Sequence, residues 1–279
     1  AAMTGRLQDK IAIVTGGSNG IGRACAERFS REGASILIAD LLADQGREAA
    51  ATITSAGGRA EFVELEAADP DSNRAMVDAA VEHFGTVDVL VTAAGISHGE
   101  YRSGDAEADR KRYARAAERA DQPAASLIEL DIDDWRRVLD VNLTGTLLAL
   151  QATAATLVEQ EKPGSIVTIA SIAAVDPLWG APSYPVSKAG VWMLTKNASR
   201  TLAPLGIRVN SIGPGFIETN MTAVMTESEE RRAVTIGGTP LGRKGTPDEV
   251  ANVALFLASD EASFVTGELI HPDGGWFTG

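Results

Sequence analysis

Three side chains, Ser171, Tyr184 and Lys188, have the types and the spacing that acid–base chemistry on an oxygen atom requires. Tyr184 and Lys188 are four positions apart, so a helix places the phenol and the ammonium group on one face. A free tyrosine has a pKa near ~10, but a cation beside it favours the phenolate and lowers that pKa. A serine hydroxyl from a strand end can hold a substrate oxygen against the phenol. The triplet therefore predicts proton transfer at an alcohol or a carbonyl group.

The spacing of the triplet also fits an ordinary amphipathic helix with one tyrosine. The secondary-structure elements around it therefore help to decide whether it is a catalytic site. Short apolar segments alternate with longer helical patterns, which indicates parallel strands in a sheet covered on both faces. We expect an α/β fold with a doubly wound parallel seven-stranded sheet of Rossmann type, in a single domain over residues 1–279. The predicted strands are residues 11–15, 35–39, 60–65, 87–91, 165–170, 207–212 and 268–270, and the clearest helices are residues 20–32, 71–84, 133–157 and 183–202.

Two segments interrupt this alternation. Residues 98–126, called the insertion here, are rich in charged residues and helix formers. The insertion is either a solvated surface helix or a lid or subunit contact, because loops after strand ends border the ligand crevice. Residues 213–245, called the flap here, mix Pro, Gly, Thr and Met and exceed an ordinary connection. Their length favours a functional flap over the substrate.

A glycine-rich segment at residues 15–22 follows the first strand and opens the first helix. Its glycines Gly16, Gly20 and Gly22 let the backbone turn tightly and approach a pyrophosphate. The N–H groups at the start of a helix can bind such a phosphate group. Strand, glycine turn and helix in this order predict a dinucleotide site.

An acidic residue, Asp40, ends the second strand 18 residues after Gly22. A carboxylate there can accept hydrogen bonds from ribose hydroxyls and would repel a 2′-phosphate. No arginine or lysine occupies residues 17–19 or 41–45 to offset that repulsion. The sequence therefore predicts NAD(H) rather than NADP(H). The alternative interpretation of Asp40 is the N-cap of the next helix.

The glycine pattern, Asp40 and the Ser–Tyr–Lys spacing together resemble the short-chain dehydrogenase/reductase family in its common single-domain form, from residue 10 to residue 275. The resemblance implies hydride transfer between a secondary alcohol, or its ketone, and NAD(H). In that scheme Tyr184 is the general base and Lys188 lowers its pKa and holds the nicotinamide ribose. Ser171 fixes the substrate oxygen, and Asn142 supports a water relay from Lys188.

The same resemblance assigns the cofactor contacts. Residues 214–219 match a Pro-Gly segment that flanks the nicotinamide, with Ile217 and Thr219 near its carboxamide. The complete set of expected cofactor-binding residues is Gly16, Ser18, Asn19, Gly20, Ile21, Gly22, Asp40, Leu41, Glu66, Ala67, Ala94, Gly95, Tyr184, Lys188, Pro214, Gly215, Ile217 and Thr219.

The chain departs from the family pattern in three places. Residues 92–95 read Thr-Ala-Ala-Gly where the family usually has Asn-Asn-Ala-Gly. The Asp-Val pair after the third strand appears as Glu66-Ala67, with Asp69 three residues later, so either acid can approach the adenine. The insertion is absent from most members, so the substrate is not transferred from shorter relatives.

Several other side chains are candidates for the substrate pocket. His98 is either a solvated loop residue or a substrate contact at the crevice mouth. Leu178 and Trp179 flank the triplet and are expected to line an apolar pocket with the flap residue Met221. Trp192 lies one turn beyond Lys188 and is expected in the core or in an interface.

Composition restricts the partners. The net charge of −13 argues against nucleic acid or an anionic membrane, and no stretch of about 18 apolar residues occurs. The single cysteine, Cys25, allows no intramolecular disulfide and fits a reducing, cytoplasmic location, with the thiol packed in a helix. The three histidines lack metal-ligand spacing, so no catalytic metal is expected. By resemblance the protein is a homotetramer or homodimer that acts on a small alcohol or ketone.

Two other functions remain open. The same scaffold supports a 3-oxoacyl thioester (acyl-carrier-protein) reductase, although Asp40 disfavours the NADPH that this step normally uses. A non-catalytic nucleotide-sensing protein is the third interpretation, and the intact catalytic set of Asn142, Ser171, Tyr184 and Lys188 argues against it.

Overall fold

Seven parallel strands form one sheet in the order β3-β2-β1-β4-β5-β6-β7, which confirms the predicted doubly wound fold. The computed structural model describes residues 5–118, 121–122, 124–177 and 181–278, without the side chains of residues 115–117. The strands are β1 Ile11–Thr15, β2 Ser35–Asp40, β3 Arg59–Glu64, β4 Val89–Thr92, β5 Gly164–Ile169, β6 Ile207–Ile212 and β7 Leu269–Ile270. The helices are α1 Gly20–Arg31, α2 Ala43–Ser55, α3 Pro70–Phe84, α4 Ala106–Glu118, α5 Ala125–Ile128, α6 Ile132–Leu139, α7 Gly145–Glu159, α8 Ser183–Leu202, α9 Glu229–Gly237 and α10 Pro247–Ala258.

A hydrophobic core covers each face of the sheet. Successive strand residues point to opposite faces, so Val14 joins the core with α1 and α10, whereas Ile13 joins the core with α3 and α7. Both side chains are fully buried. The continuous apolar character of the strands is explained by this double cover.

The strand order reverses between β1 and β4, and the crevice at a reversal is where such sheets bind ligands. The glycine-rich segment leaves β1 at this point, and residues 93–95 leave β4 beside it. The backbone N–H of Ala94 donates to the Thr15 hydroxyl over 3.3 Å. This bond joins the end of β1 to the loop after β4, directly beside Ala93, where the family pattern has an asparagine.

The predicted helix at residues 133–157 is not continuous. A π-helical turn, Asp140–Thr144, separates α6 from α7. The helical stretch Ile132–Glu159 is long and apolar enough to cross a membrane, but 50% of its most apolar window is buried inside the protein. A core helix meets the same criteria, and α7 packs against α3 and the sheet.

The insertion packs against the flap. Arg110 of α4 forms an ion pair of 2.7 Å with Glu227, and the Arg231 guanidinium lies 4.9 Å from the centre of the Tyr113 ring. The flap itself contains a 3-10 helix, Asn220–Thr226, followed by α9. The helix α4 is therefore more than a solvated helix, because it joins the segment that borders the crevice.

Candidate active site

The triplet assembles where α8 meets the end of β5. The Lys188 Nζ atom lies 5.8 Å from the centre of the Tyr184 ring and donates a 2.8 Å hydrogen bond to the carbonyl oxygen of Ile169. Ser171 follows two residues after Ile169, and its hydroxyl is near enough to the Tyr184 phenol to lower the pKa of that group. The Ser171 oxygen also accepts a 3.1 Å bond from the N–H of Ala173, which orients it. The structure thus brings the three predicted side chains together.

Burial shifts the pKa values of both Lys188 and Tyr184. It lowers the pKa of Lys188 to about 8, since only 6% of the lysine is exposed. Tyr184 keeps some accessible surface, but burial of its phenol raises the pKa, and the nearby Ser171 hydroxyl opposes this rise only in part. The predicted lowering of the Tyr184 pKa is therefore wrong for the protein by itself. The phenol therefore keeps its proton at neutral pH.

Asn142 lies in the π-helical turn and is fully buried. Its Oδ1 atom accepts a 2.8 Å bond from the N–H of Ile96, and its Nδ2 group donates to the Ile96 carbonyl over 2.9 Å and to the Ser187 hydroxyl over 3.0 Å. A Cβ atom on Gly95 would lie 3.3 Å from Asn142 Oδ1 and 3.5 Å from Lys188 Nζ. Asn142 therefore ties the loop after β4 to α8, and its role in a water relay stays a prediction.

The glycine-rich segment has the shape of a phosphate cradle. Gly16 has φ +65°, and a Cβ atom there would lie 2.6 Å from the Ala94 nitrogen. A Cβ atom on Gly22 would lie 2.1 Å from the Gly16 oxygen. Asn19 precedes α1 and, within the described residues, its side chain makes no capping bond. The N–H groups of the first turn are thus available to an anion, as a dinucleotide pyrophosphate requires.

Both carboxylate oxygens of Asp40 accept a backbone hydrogen bond. The N–H of Ser18 donates to Oδ2 and the N–H of Leu42 donates to Oδ1, each over 3.0 Å. The helix α2 begins at Ala43 with Leu42 as its N-cap, so the N-cap interpretation of Asp40 is wrong. Among the described residues no lysine or arginine lies within ion-pair distance of this carboxylate. The geometry fits a residue that accepts ribose hydroxyls beside Leu41.

The two acids after β3 have different partners. Asp69 is the N-cap of α3 and accepts a 3.0 Å bond from the N–H of Asp71. Glu66 approaches Arg137 at 3.8 Å, and the carbonyl of the neighbouring Ala67 accepts a 2.9 Å bond from Asn73. Asp69 is thus occupied in capping, and the contact of Glu66 and Ala67 with the adenine stays a prediction.

Residues 214–219 connect the triplet to the glycine-rich segment. The carbonyl of Pro214 accepts a 3.0 Å bond from the N–H of Ile172, next to Ser171. At the other end, the Thr219 methyl group would lie 3.5 Å from a Cβ atom on Gly20. Between them, the N–H of Gly215 donates to the Pro272 carbonyl over 3.2 Å. The segment with Ile217 therefore forms a wall between the two halves of the site.

Comparison with known proteins decides the family. Residues 10–230 match the family model described as short chain dehydrogenase. The chain belongs to the short-chain dehydrogenase/reductase family. It is 37% identical over 276 residues to a trans-4-hydroxycyclohexanecarboxylate dehydrogenase of Sinomonas cyclohexanicum, covering 97% of this chain and 93% of that protein.

Two further relatives agree with this assignment. A 3-oxoacyl-[acyl-carrier-protein] reductase of Thermotoga maritima is 35% identical over 270 residues, covering 97% of this chain and 98% of that protein. The crystal structure of a short-chain type dehydrogenase/reductase from Mycobacterium marinum superposes with a TM-score of 0.83 at 30% identity, covering 98% and 97% of the two chains. The chain is therefore an oxidoreductase of the short-chain dehydrogenase/reductase family.

The other residues that the sequence singled out differ in how far they are buried. Trp192 is half-buried on α8, with Lys196 Nζ 4.9 Å from its ring centre, and Met221 is half-buried in the flap. Leu178 and Trp179 lie outside the described residues. Cys25 is buried as predicted, and burial raises the pKa of its thiol to about 12.

The sequence interpretation missed the environment of His98. It favours a solvated loop residue, but the structure buries this side chain beside Asp109 of the insertion. The hydroxyl of Ser103, also in the insertion, donates to Asn19 over 3.3 Å and accepts from Asn220 over 3.1 Å. The spacing of residues in the sequence does not predict these contacts, because they join segments that meet only in the folded protein.

Proposed function

We propose that this protein is an NAD(H)-dependent dehydrogenase that interconverts a cyclic secondary alcohol and its ketone. The observation that carries the proposal is the meeting of Ser171, Tyr184 and the buried Lys188 at the end of β5, with Lys188 Nζ 5.8 Å from the centre of the Tyr184 ring and bonded to the Ile169 carbonyl. A ring substrate is supported by the relative from Sinomonas cyclohexanicum, whose name describes a hydroxycyclohexane.

In this reaction the protein's own side chains donate and accept the proton. Tyr184 donates its proton to the carbonyl oxygen during reduction and removes the hydroxyl proton during oxidation. Ser171 holds that oxygen, and Lys188 supplies the positive charge that stabilises a phenolate when one forms. When bound, the nicotinamide accepts or returns a hydride. The residues that would hold the dinucleotide are Gly16, Gly20, Gly22, Asp40, Ile217 and Thr219.

The preference for NAD(H) is part of the proposal and rests on Asp40. Its two oxygens are held in place by the backbone N–H groups of Ser18 and Leu42. A 2′-phosphate brought to this carboxylate would be repelled, whereas ribose hydroxyls would be accepted.

A second candidate function is reduction of a 3-oxoacyl thioester. The relative from Thermotoga maritima, which carries that activity in its name, supports it at 35% identity. The charge of Asp40 argues against NADPH as the cofactor. The net charge of −13 argues against docking of an acidic carrier protein. A non-catalytic nucleotide sensor is disfavoured by the assembled triplet.

Steady-state assays that follow NADH absorbance test these alternatives. We expect oxidation of substituted cyclohexanols with NAD⁺ and little turnover of a 3-oxoacyl thioester with NADPH. Tyr184→Phe should lower kcat by roughly 10²–10⁴-fold, because it removes the proton donor. The matched control is Tyr113→Phe, which deletes a hydroxyl in the insertion. A faster reaction with NADP⁺, or full activity of Tyr184→Phe, would overturn the proposal.

The assembly and location are also proposals. A homotetramer or homodimer in the cytoplasm, acting on a small molecule without nucleic acid or membrane, fits the acidic charge and the family. Val186 and Met193 on α8 and Phe264 before β7 are exposed large hydrophobic residues that a partner subunit can cover. Light scattering after size-exclusion chromatography measures the subunit number, and a monomer would contradict this proposal.

A further inference from the structure

His98 is a buried histidine that the chemistry described above does not use. Only 5% of the residue is exposed, and its Nε2 atom lies 3.0 Å from Oδ1 of Asp109, which is 7% exposed. Asp109 belongs to α4, so the insertion supplies one half of this pair. The Tyr101 ring packs edge-on against the imidazole, with 5.8 Å between ring centres.

The pair leaves one hydrogen-bonding atom of the imidazole without a partner. A carboxylate only accepts hydrogen bonds, so of the two neutral tautomers of the imidazole Asp109 selects the one that carries its proton on Nε2. The Nδ1 atom is then an acceptor. It is buried and, among the described residues, has no hydrogen-bond partner. Buried acceptors are nearly always satisfied, so a donor that is not among the described residues is expected at His98 Nδ1.

The loop that carries His98 is bound to the start of the catalytic helix. Two residues before it, Ile96 is held by Asn142 through both of its backbone groups. One residue after it, the N–H of Gly99 donates to Asp134 Oδ1 over 2.8 Å. The other oxygen of Asp134 accepts a 3.4 Å bond from the hydroxyl of Ser183, which directly precedes Tyr184 in the chain. His98 is thus part of the loop that borders the substrate crevice.

We propose that His98, oriented by Asp109, accepts a hydrogen bond from a second hydroxyl group of the substrate. The inference rests on the dehydrogenase function proposed above and names its substrate class: alcohols that carry another hydroxyl group, such as cyclic diols. In this scheme His98 is a specificity residue that touches the substrate, and Asp109 is a positioning residue that acts through His98.

The charges around the imidazole favour a hydroxyl over a carboxylate as the second group. A carboxylate cannot donate a hydrogen bond to the acceptor that Nδ1 is in the tautomer with its proton on Nε2. It would also face the Asp109 carboxylate across one ring, in a buried place where like charges repel strongly. A hydroxyl donates without adding charge.

Matched alcohols test the proposal: cyclohexanol, the isomers of cyclohexane-1,2-, 1,3- and 1,4-diol, and trans-4-hydroxycyclohexanecarboxylate. We expect kcat/KM for the best diol to exceed that for cyclohexanol by roughly ten- to a hundredfold, the effect of one well-made buried hydrogen bond. His98→Leu should abolish this ratio and leave cyclohexanol within about twofold of the wild type. His98→Asn retains an acceptor oxygen and should restore part of the preference.

Two further variants separate the positioning role from a structural one. Asp109→Asn keeps an acceptor for Nε2 but no longer imposes one tautomer, so the diol preference should fall partway while cyclohexanol turnover is unchanged. Arg110→Gln breaks the ion pair between α4 and Glu227 but leaves the contact between His98 and Asp109 unchanged. This variant should keep the diol preference. Thermal melting confirms that each variant is folded.

Three outcomes would overturn the proposal while the dehydrogenase function stands. Equal losses for diol and cyclohexanol in His98→Leu would mean a structural role. An unchanged diol ratio would mean that only water occupies Nδ1. A preference for the carboxylate substrate that disappears in His98→Leu would mean that the imidazole is a donor.

A second measurement tests the hydrogen bond at His98 Nδ1 without relying on enzyme turnover. Nitrogen-15 NMR of the histidines, with His98→Leu to assign the signal, reports the hydrogen bond at Nδ1. With NAD⁺ present, the diols should shift this signal and cyclohexanol should not. If the whole panel is inert in the assay, the proposed function fails, and the NMR result alone confirms or overturns the diol site.

Discussion

Replacing Asn142 with alanine removes three hydrogen bonds that join the loop after β4 to α8. Their lengths are 2.8, 2.9 and 3.0 Å, and the side chain is fully buried. At about 1 kcal/mol for each bond, we expect the free energy of unfolding to fall by about 3 kcal/mol. For a chain of this size the melting temperature should fall by roughly 6–12 °C.

Denaturant unfolding followed by tryptophan fluorescence measures the change, at a fixed protein concentration because assembly adds stability. The matched control is Asn197→Ala, which removes an exposed asparagine from α8 and should change stability by less than about 0.5 kcal/mol. Activity of Asn142→Ala should fall as well, since Gly95 beside Lys188 loses its support.

The refuting result is specific. If Asn142→Ala keeps the stability of the wild type but loses activity, the side chain acts in a proton relay and the scaffold argument is wrong. If both stability and activity are retained, water has replaced the amide at Ile96, and the three bonds do not position the site.

Three other predictions concern single residues. Asp40→Ser should raise kcat/KM for NADP⁺ relative to NAD⁺ by at least about tenfold, because the repelling charge is gone, and an unchanged ratio would contradict the NAD(H) assignment. Burial lowers the pKa of Lys188 from 10.5 to about 8, so between these values the unfolded chain holds a proton that the folded protein has released. The unfolding free energy of the wild type, relative to that of Lys188→Met, should therefore rise by on the order of 3 kcal/mol as the pH increases through this window. Denaturation curves measured at several pH values give this difference, and a difference that does not change with pH would refute the prediction. A thiol reagent at neutral pH should label Cys25 only after unfolding, because burial raises its pKa to about 12, and rapid labelling of the native protein would contradict this.

The elements of the fold were predictable because their signals are local. The strands at residues 11–15 and 207–212 and the helix at residues 183–202 have the predicted bounds. The helix at residues 133–157 was only partly predictable, since its apolar spacing contains no sign of the π-helical turn at Asp140–Thr144. That turn accompanies the long-range bonds of Asn142, which no pattern within the helix records.

The sequence by itself determined which chemical groups the candidate site contains. The spacing of Ser171, Tyr184 and Lys188 and the position of Asp40 at the end of β2 depend only on helix and strand periodicity, which neighbouring residues set. Tertiary structure alone decided the surroundings of these groups. It raised the pKa of Tyr184 and brought Asp109 to His98, because desolvation and hydrogen bonding depend on packing between segments far apart in the chain.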